Sequence, residues 1–160
     1  MAYMEGIMKE QDNISLVRQG YEAFDKGDIP RLLSLFSRDI DWNLPEIEGI
    51  SFTGKRKGLD EVADFFRQMA DQQDAREFKV DEYIAQGDRV MVLGHCTWTV
   101  KSTGLDYSDE FCHLFTVKDG KVASFKEYAD THRAALAYQP RPGTVGAAAA
   151  AAATTRTSVH

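Results

Sequence analysis

The hydrophobic period of this chain turns lastingly from helical to alternating between Asp71 and Phe78, and that change limits the folds open to it. Before it, apolar residues recur mainly at helical spacing. Ile14, Val17, Tyr21 and Phe24 draw one stripe over a helix predicted from Asn13 to Lys26, with Asp12 or Asn13 as its cap and Gly27 as its stop. Asp28 caps a second helix that carries Pro30 in its first turn and Leu32, Leu33, Leu35 and Phe36 on its buried face. Asp39 to Pro45 alternates Ile40, Trp42 and Leu44 as a short strand, and Ile50 to Phe52 is predicted as another. Leu59, Val62, Phe65, Phe66 and Met69 mark a third helix over Gly58 to Asp71. Beyond it the pattern alternates. Phe78, Val80, Glu82 and Ile84 share a strand, followed by strands over Arg89 to Lys101, Asp106 to Lys118 and Lys121 to Tyr128. Turns at Gly87-Asp88, Ser102 to Leu105 and Asp119-Gly120 separate them. Three helices and then a meander define an α+β fold, an antiparallel sheet bent around helices.

Composition narrows the function. The chain has 160 residues, 43% of them apolar and 28% charged, with a net charge of −6. An acidic protein is a poor fit to nucleic acid or to anionic membranes, so neither is expected as a partner. No run approaches the roughly 18 apolar residues that span a bilayer. The opening residues lack the cationic and then apolar pattern of a secretory signal. With two cysteines, Cys96 and Cys112, and no CxxC, the expected location is cytoplasmic. Residues 1–12 read as an N-terminal arm, 13–138 as the folded domain and 139–160 as a disordered Ala-rich tail, the last from Pro140, Pro142, Gly143 and the seven alanines from Ala147 to Ala153.

Several short strings, in order, resemble the NTF2-like superfamily, and within it the SnoaL-like, ketosteroid-isomerase-related branch. They are Tyr21-Glu-Ala-Phe24 with Lys26-Gly-Asp28, Asp41-Trp-Asn-Leu-Pro45, Phe52-Thr-Gly54 with Gly58 to Phe66, Gly87-Asp-Arg-Val90, His113-Leu-Phe115, and Asp119-Gly-Lys121 through Glu127-Tyr-Ala-Asp130. The resemblance implies a cystatin-like cone. Three N-terminal helices pack in a strongly curved antiparallel sheet that leaves an apolar pocket, and the protein is a homodimer through the sheet. It implies a small apolar molecule as partner, with neither cofactor nor metal. The fold hosts isomerases, cyclases, dehydratases and non-catalytic binders, so it does not fix the reaction.

Carried over position by position, the ketosteroid isomerase pattern fails. The proton-moving carboxylate falls at Leu44, the helical tyrosine at Gly20 and the protonated acid near Cys112. SnoaL-type cyclases match better: a histidine on the penultimate long strand and an acid on the last correspond to His113 and Glu127. Glu127 among aromatic side chains is the expected base, and His113 the expected donor to a developing enolate oxygen. Trp42, Leu44, Tyr21, Phe111, Phe115, Phe125 and Phe66 are the candidate substrate-binding residues. Trp42 serves primarily as packing, and Tyr21 as core rather than donor. The Asp106 to Glu110 cluster reads as a solvated strand end.

Hairpin register decides whether His113 and Glu127 meet. A three-residue loop with a bulge at Gly120 places them diagonally on one face, whereas a two-residue Asp119-Gly120 turn sends them to opposite faces. Likewise, a Thr103-Gly104-Leu105 turn would set His95 opposite His113 and Cys96 opposite Cys112. A His95/His113/Glu127 metal set is then conceivable, without any local ligand spacing to support it. No GxGxxG, GxxxxGK or GxSxG motif occurs.

Overall fold

The structure, a computed structural model, describes residues 1–142. Its elements in chain order are α1 (Ala2–Asp25), α2 (Ile29–Ser34), β1 (Phe36–Asn43), β2 (Lys55–Lys57), α3 (Gly58–Gln72), β3 (Gln73–Gln86), β4 (Arg89–Val100), β5 (Asp106–Lys118), β6 (Lys121–Tyr128) and α4 (Thr131–Tyr138). This is the α+β architecture expected, an open curved sheet with the N-terminal helices packed against it. Strand order is β2-β1-β6-β5-β4-β3. All neighbours are antiparallel except β1 and β6, which run parallel, so the sheet is mixed. Among the described residues no helix is long and apolar enough to cross a membrane. The Ala-rich part of the predicted tail, 143–160, lies outside the described residues.

Several elements differ from their predicted bounds, each for a physical reason. α1 begins at Ala2, not Asn13. Asn13 is no cap but a buried mid-helix residue whose Nδ2 donates to the Gly87 carbonyl at 3.2 Å. One turn earlier, Glu10 Oε1 accepts from the Gly87 amide at 2.9 Å. These long-range bonds tie the helix to the β3–β4 turn. α2 stops at Ser34 and Phe36 opens β1, because the next backbone group, the Leu35 carbonyl, accepts from Val122 of β6. Residues 50–52 form turns, and the short strand falls instead at Lys55–Lys57. There Arg56 reaches back to Asp64 at 3.0 Å, and Lys57 to the outward Asp41 at 3.0 Å.

β3 does not alternate throughout. Bulges between Ala75 and Glu77 and between Val80 and Glu82 reset its faces. Phe78 and Val80 pack inward before the second bulge and Tyr83 after it, leaving Ile84 exposed. Each bulge also increases local twist, which helps the strand bend around α1.

The core lies between the concave sheet face and helices α1 and α3. Ile40, Val62, Val90 and Val92 have no exposure at all, and burying each contributes about 1.5–3 kcal/mol. The concave face also needs one residue without a side chain. A Cβ on Gly94 would lie 2.3 Å from the Phe111 ring and 2.4 Å from the Lys79 carbonyl.

Candidate functional site

The inner face of the sheet is polar at one point. β5 turns Tyr107, Asp109, Phe111, His113 and Phe115 inward at period two, and β6 brings Phe125 and Glu127 beside them. The hairpin joining them follows neither predicted register. Asp119 and Gly120 form a two-residue turn with φ of 50° and 71°, the paired positive values of a type I′ turn, and Lys118 faces Lys121. A bulge then falls on β6 opposite Thr116 and Val117, where the pairing passes from Val117–Val122 to Thr116–Ser124 and skips Ala123. That extra residue restores the common face, and His113 lies directly opposite Glu127.

His113 Nε2 is 3.1 Å from Glu127 Oε1, and His113 Nδ1 is 2.6 Å from the Tyr21 hydroxyl on α1. Burial holds the Tyr21 phenol well above its ordinary value of 10.0, reinforced by the neighbouring Tyr83, Glu127 and Cys112, so the hydroxyl keeps its proton. A carboxylate only accepts, so the hydrogen of a neutral His113 ring lies on Nε2 and donates to Glu127, and Nδ1 accepts from the Tyr21 hydroxyl. Tyr21, read from sequence as core, is thus a donor as well. Four rings enclose His113. Phe111 stacks on it at 4.3 Å, Phe125 meets it at 4.8 Å, Tyr21 lies parallel at 6.0 Å, and Phe115 stands edge-on at 6.3 Å. The His113 side chain is 7% exposed and that of Glu127 25%. The second Glu127 oxygen, Oε2, makes no hydrogen bond among the described residues.

These groups border a cavity of about 130 Å³ between sheet and helices. Glu127, His113, Trp42, Leu44, Tyr21, Phe111, Phe115, Phe125 and Phe66 all line it. Trp42 stacks on Phe125 at 3.9 Å, and its indole Nε1 is buried without any hydrogen-bond partner. Such an orphan donor costs about 1–3 kcal/mol.

Two further groupings that the sequence allowed do not form, although Cys96 does line the cavity. His95 pairs with Glu110 rather than His113 and stands on the convex face, so no His95/His113/Glu127 set forms. Cys96 is opposite Asp109 and Cys112 opposite Leu93, on opposite faces of the sheet, and both thiols are free. Burial pushes the Cys96 thiol up to about 12, which keeps it protonated.

Sequence reasoning missed Asp109, Tyr107 and Gln73. Asp109 is no solvated strand end. It lines the cavity, accepts the Asp130 amide at 3.0 Å, and burial raises its carboxyl above the ordinary 3.8. The signal was present in the period-two run that puts Tyr107 and Asp109 on the face of His113. Gln73, at the junction of α3 and β3, is 4% exposed and accepts from Tyr107 at 3.0 Å and Tyr138 at 2.7 Å. Asp130 caps α4, accepting from His132 and Arg133.

Known proteins share this arrangement of elements. No curated protein matches the chain. An NTF2-like protein from Burkholderia xenovorans is 31% identical, with 81% of this chain and 98% of that one covered at a TM-score of 0.74. TerC, co-crystallised with polyporic acid, is 27% identical over 79% of this chain and 98% of its own, with a TM-score of 0.70. A candidate polyketide cyclase from Xanthomonas campestris, at 21% identity, 82% and 99% coverage and a TM-score of 0.66, shares the fold. The family model of the SnoaL-like domain matches residues 17–125. The chain therefore belongs to the SnoaL-like family within the NTF2-like superfamily.

Proposed function

We propose that the protein is a cofactor-free enzyme that moves a proton on a small apolar carbonyl compound, as an isomerase, cyclase or dehydratase does. The observation that carries this reading is the chain from Tyr21 through His113 to Glu127 at the cavity wall. A C–H bond next to a carbonyl breaks, its proton passes to Glu127 Oε2, and its electron pair moves into the enolate. His113 fixes the base rather than touching substrate, because both of its nitrogens are engaged. Tyr21 in turn fixes the His113 ring. Trp42, Leu44, Phe66, Phe111, Phe115 and Phe125 supply the apolar wall. Co-crystallisation of the similar TerC with polyporic acid supports a small organic ligand.

The test is deuterium uptake from heavy water into the α-positions of cyclohexanone, followed by NMR. The wild type should accelerate uptake above buffer, and Glu127→Gln should return it to the buffer rate. Equal uptake with and without wild-type protein would contradict the reading.

A second reading, a non-catalytic ligand-binding or dimerisation module, is favoured by Leu44, which puts an apolar wall where ketosteroid isomerases carry their base. In either case we expect the convex sheet face to pair two copies. Sedimentation at micromolar concentration should then give twice the chain mass.

A further inference from the structure

Proton abstraction beside a carbonyl needs a donor for the oxygen that becomes negative, and His113 has none to spare. The cavity wall also holds a side-chain amide. Gln73 lines the cavity at 4% exposure, and its Oε1 takes the hydroxyls of Tyr107 and Tyr138. Those two bonds fix which way the amide faces. Neither phenol has another acceptor among the described residues. With the amide reversed, two buried O–H groups would be stranded. Burial keeps both phenols protonated, well above the ordinary tyrosine value, so both remain donors. The Gln73 Nε2 hydrogens are left over, and they donate to nothing among the described residues.

We propose that Gln73 Nε2 is the donor that reads an acceptor oxygen of the ligand, held in place by Tyr107 and Tyr138, and that the ligand is a compact, ring-sized carbonyl compound. The size follows from the cavity. At about 130 Å³ it is close to an engineered apolar cavity of about 150 Å³ that takes benzene. The carbonyl follows from pairing a free amide donor with a free carboxylate oxygen across one apolar hollow. Tyr107 and Tyr138 are positioning residues here, since they act through Gln73. The inference rests on the proton-transfer reading for its choice of a carbonyl, and its test is read from binding alone.

Acetophenone and α-methylstyrene differ by one group, C=O against C=CH2, and serve as the probes. In titrations followed by NMR, the wild type should bind acetophenone about tenfold more tightly, the worth of one good buried hydrogen bond. The Gln73 side-chain amide signals should shift with acetophenone and not with the alkene. Gln73→Met should bring the two affinities together. Tyr107→Phe with Tyr138→Phe should shrink the ratio of the two affinities toward one, which a purely structural role for the pair would not do. The wild-type amide signals keep the test valid if a variant fails to fold. Equal affinities in the wild type, unmoved Gln73 signals at saturation, or no binding of either probe would overturn the proposal. Glu127→Gln should keep the acetophenone preference, so loss of proton transfer and loss of the oxygen subsite can be told apart.

Discussion

His95 and His113 sit on adjacent strands of one sheet and accept opposite fates. His113 faces inward, its side chain 7% exposed among four aromatic rings, with one phenol and one carboxylate as partners. His95 faces outward, its side chain 41% exposed, between Asp81 at 2.8 Å and Glu77 at 2.9 Å. Both have a carboxylate in reach, yet water and salt screen the outer group and not the inner one. The lesson is that a carboxylate neighbour alone does not make a histidine chemically useful. Exclusion of water and a second, neutral partner on the other nitrogen separate the two.

The two histidine environments part most widely in activity. Glu127→Gln should lower the deuterium uptake rate by about 10²–10⁴-fold, the usual worth of a general base, while Glu77→Gln beside His95 should leave it unchanged. Equal losses would erase the distinction. Next is stability at two consecutive residues on opposite faces. Gly94→Ala pushes a methyl against the Phe111 ring and should cost about 1–3 kcal/mol in chemical denaturation. His95→Ala, one residue later on the convex face, should move the midpoint little. A third change sharpens the inner network. Tyr21→Phe keeps the ring stacking but strands His113 Nδ1, a loss of about 1–3 kcal/mol, together with slower deuterium uptake.

The smallest expected effects depend on pH. The partners of His95, Asp81 foremost, raise it above 6.5. Its contribution to stability is therefore fully present below pH 6.5 and is lost as pH rises through the folded-state value. Thermal melts across that range should show this dependence disappear in His95→Gln and fade with added salt. Asp64 works in the other direction. Hydrogen bonds from Arg67, Arg56 and Gln68 lower its carboxyl from 3.8 to about 2. Its contribution is present above 3.8 and lost as pH falls toward 2, a loss that Asp64→Asn should remove from the acid limb of the melting curve.

Much of this was legible from residue spacing. α3 runs within a residue of its predicted span because Leu59, Val62, Phe65, Phe66 and Met69 repeat at helical spacing. The Asp119-Gly120 turn was legible because only a few residue pairs tolerate positive φ at both positions. The meeting of His113 with Glu127 was legible only as an alternative, since the bulge that skips Ala123 carries no side-chain signature. The extended α1 was hidden because Glu10 and Asn13 find their partner at Gly87, across the molecule. Gln73 was hidden for a similar reason. It sits where helix gives way to strand, no period governs it, and its phenol partners come from β5 and α4.

The ring nitrogens of the histidines report on the central arrangement most directly. A 15N–1H correlation spectrum of the imidazoles should show His113 with its hydrogen on Nε2 and Nδ1 as a hydrogen-bond acceptor, with the Nδ1 shift changing in Tyr21→Phe. A His113 ring that exchanges freely between tautomers, or whose signals ignore the loss of the Tyr21 hydroxyl, would contradict it.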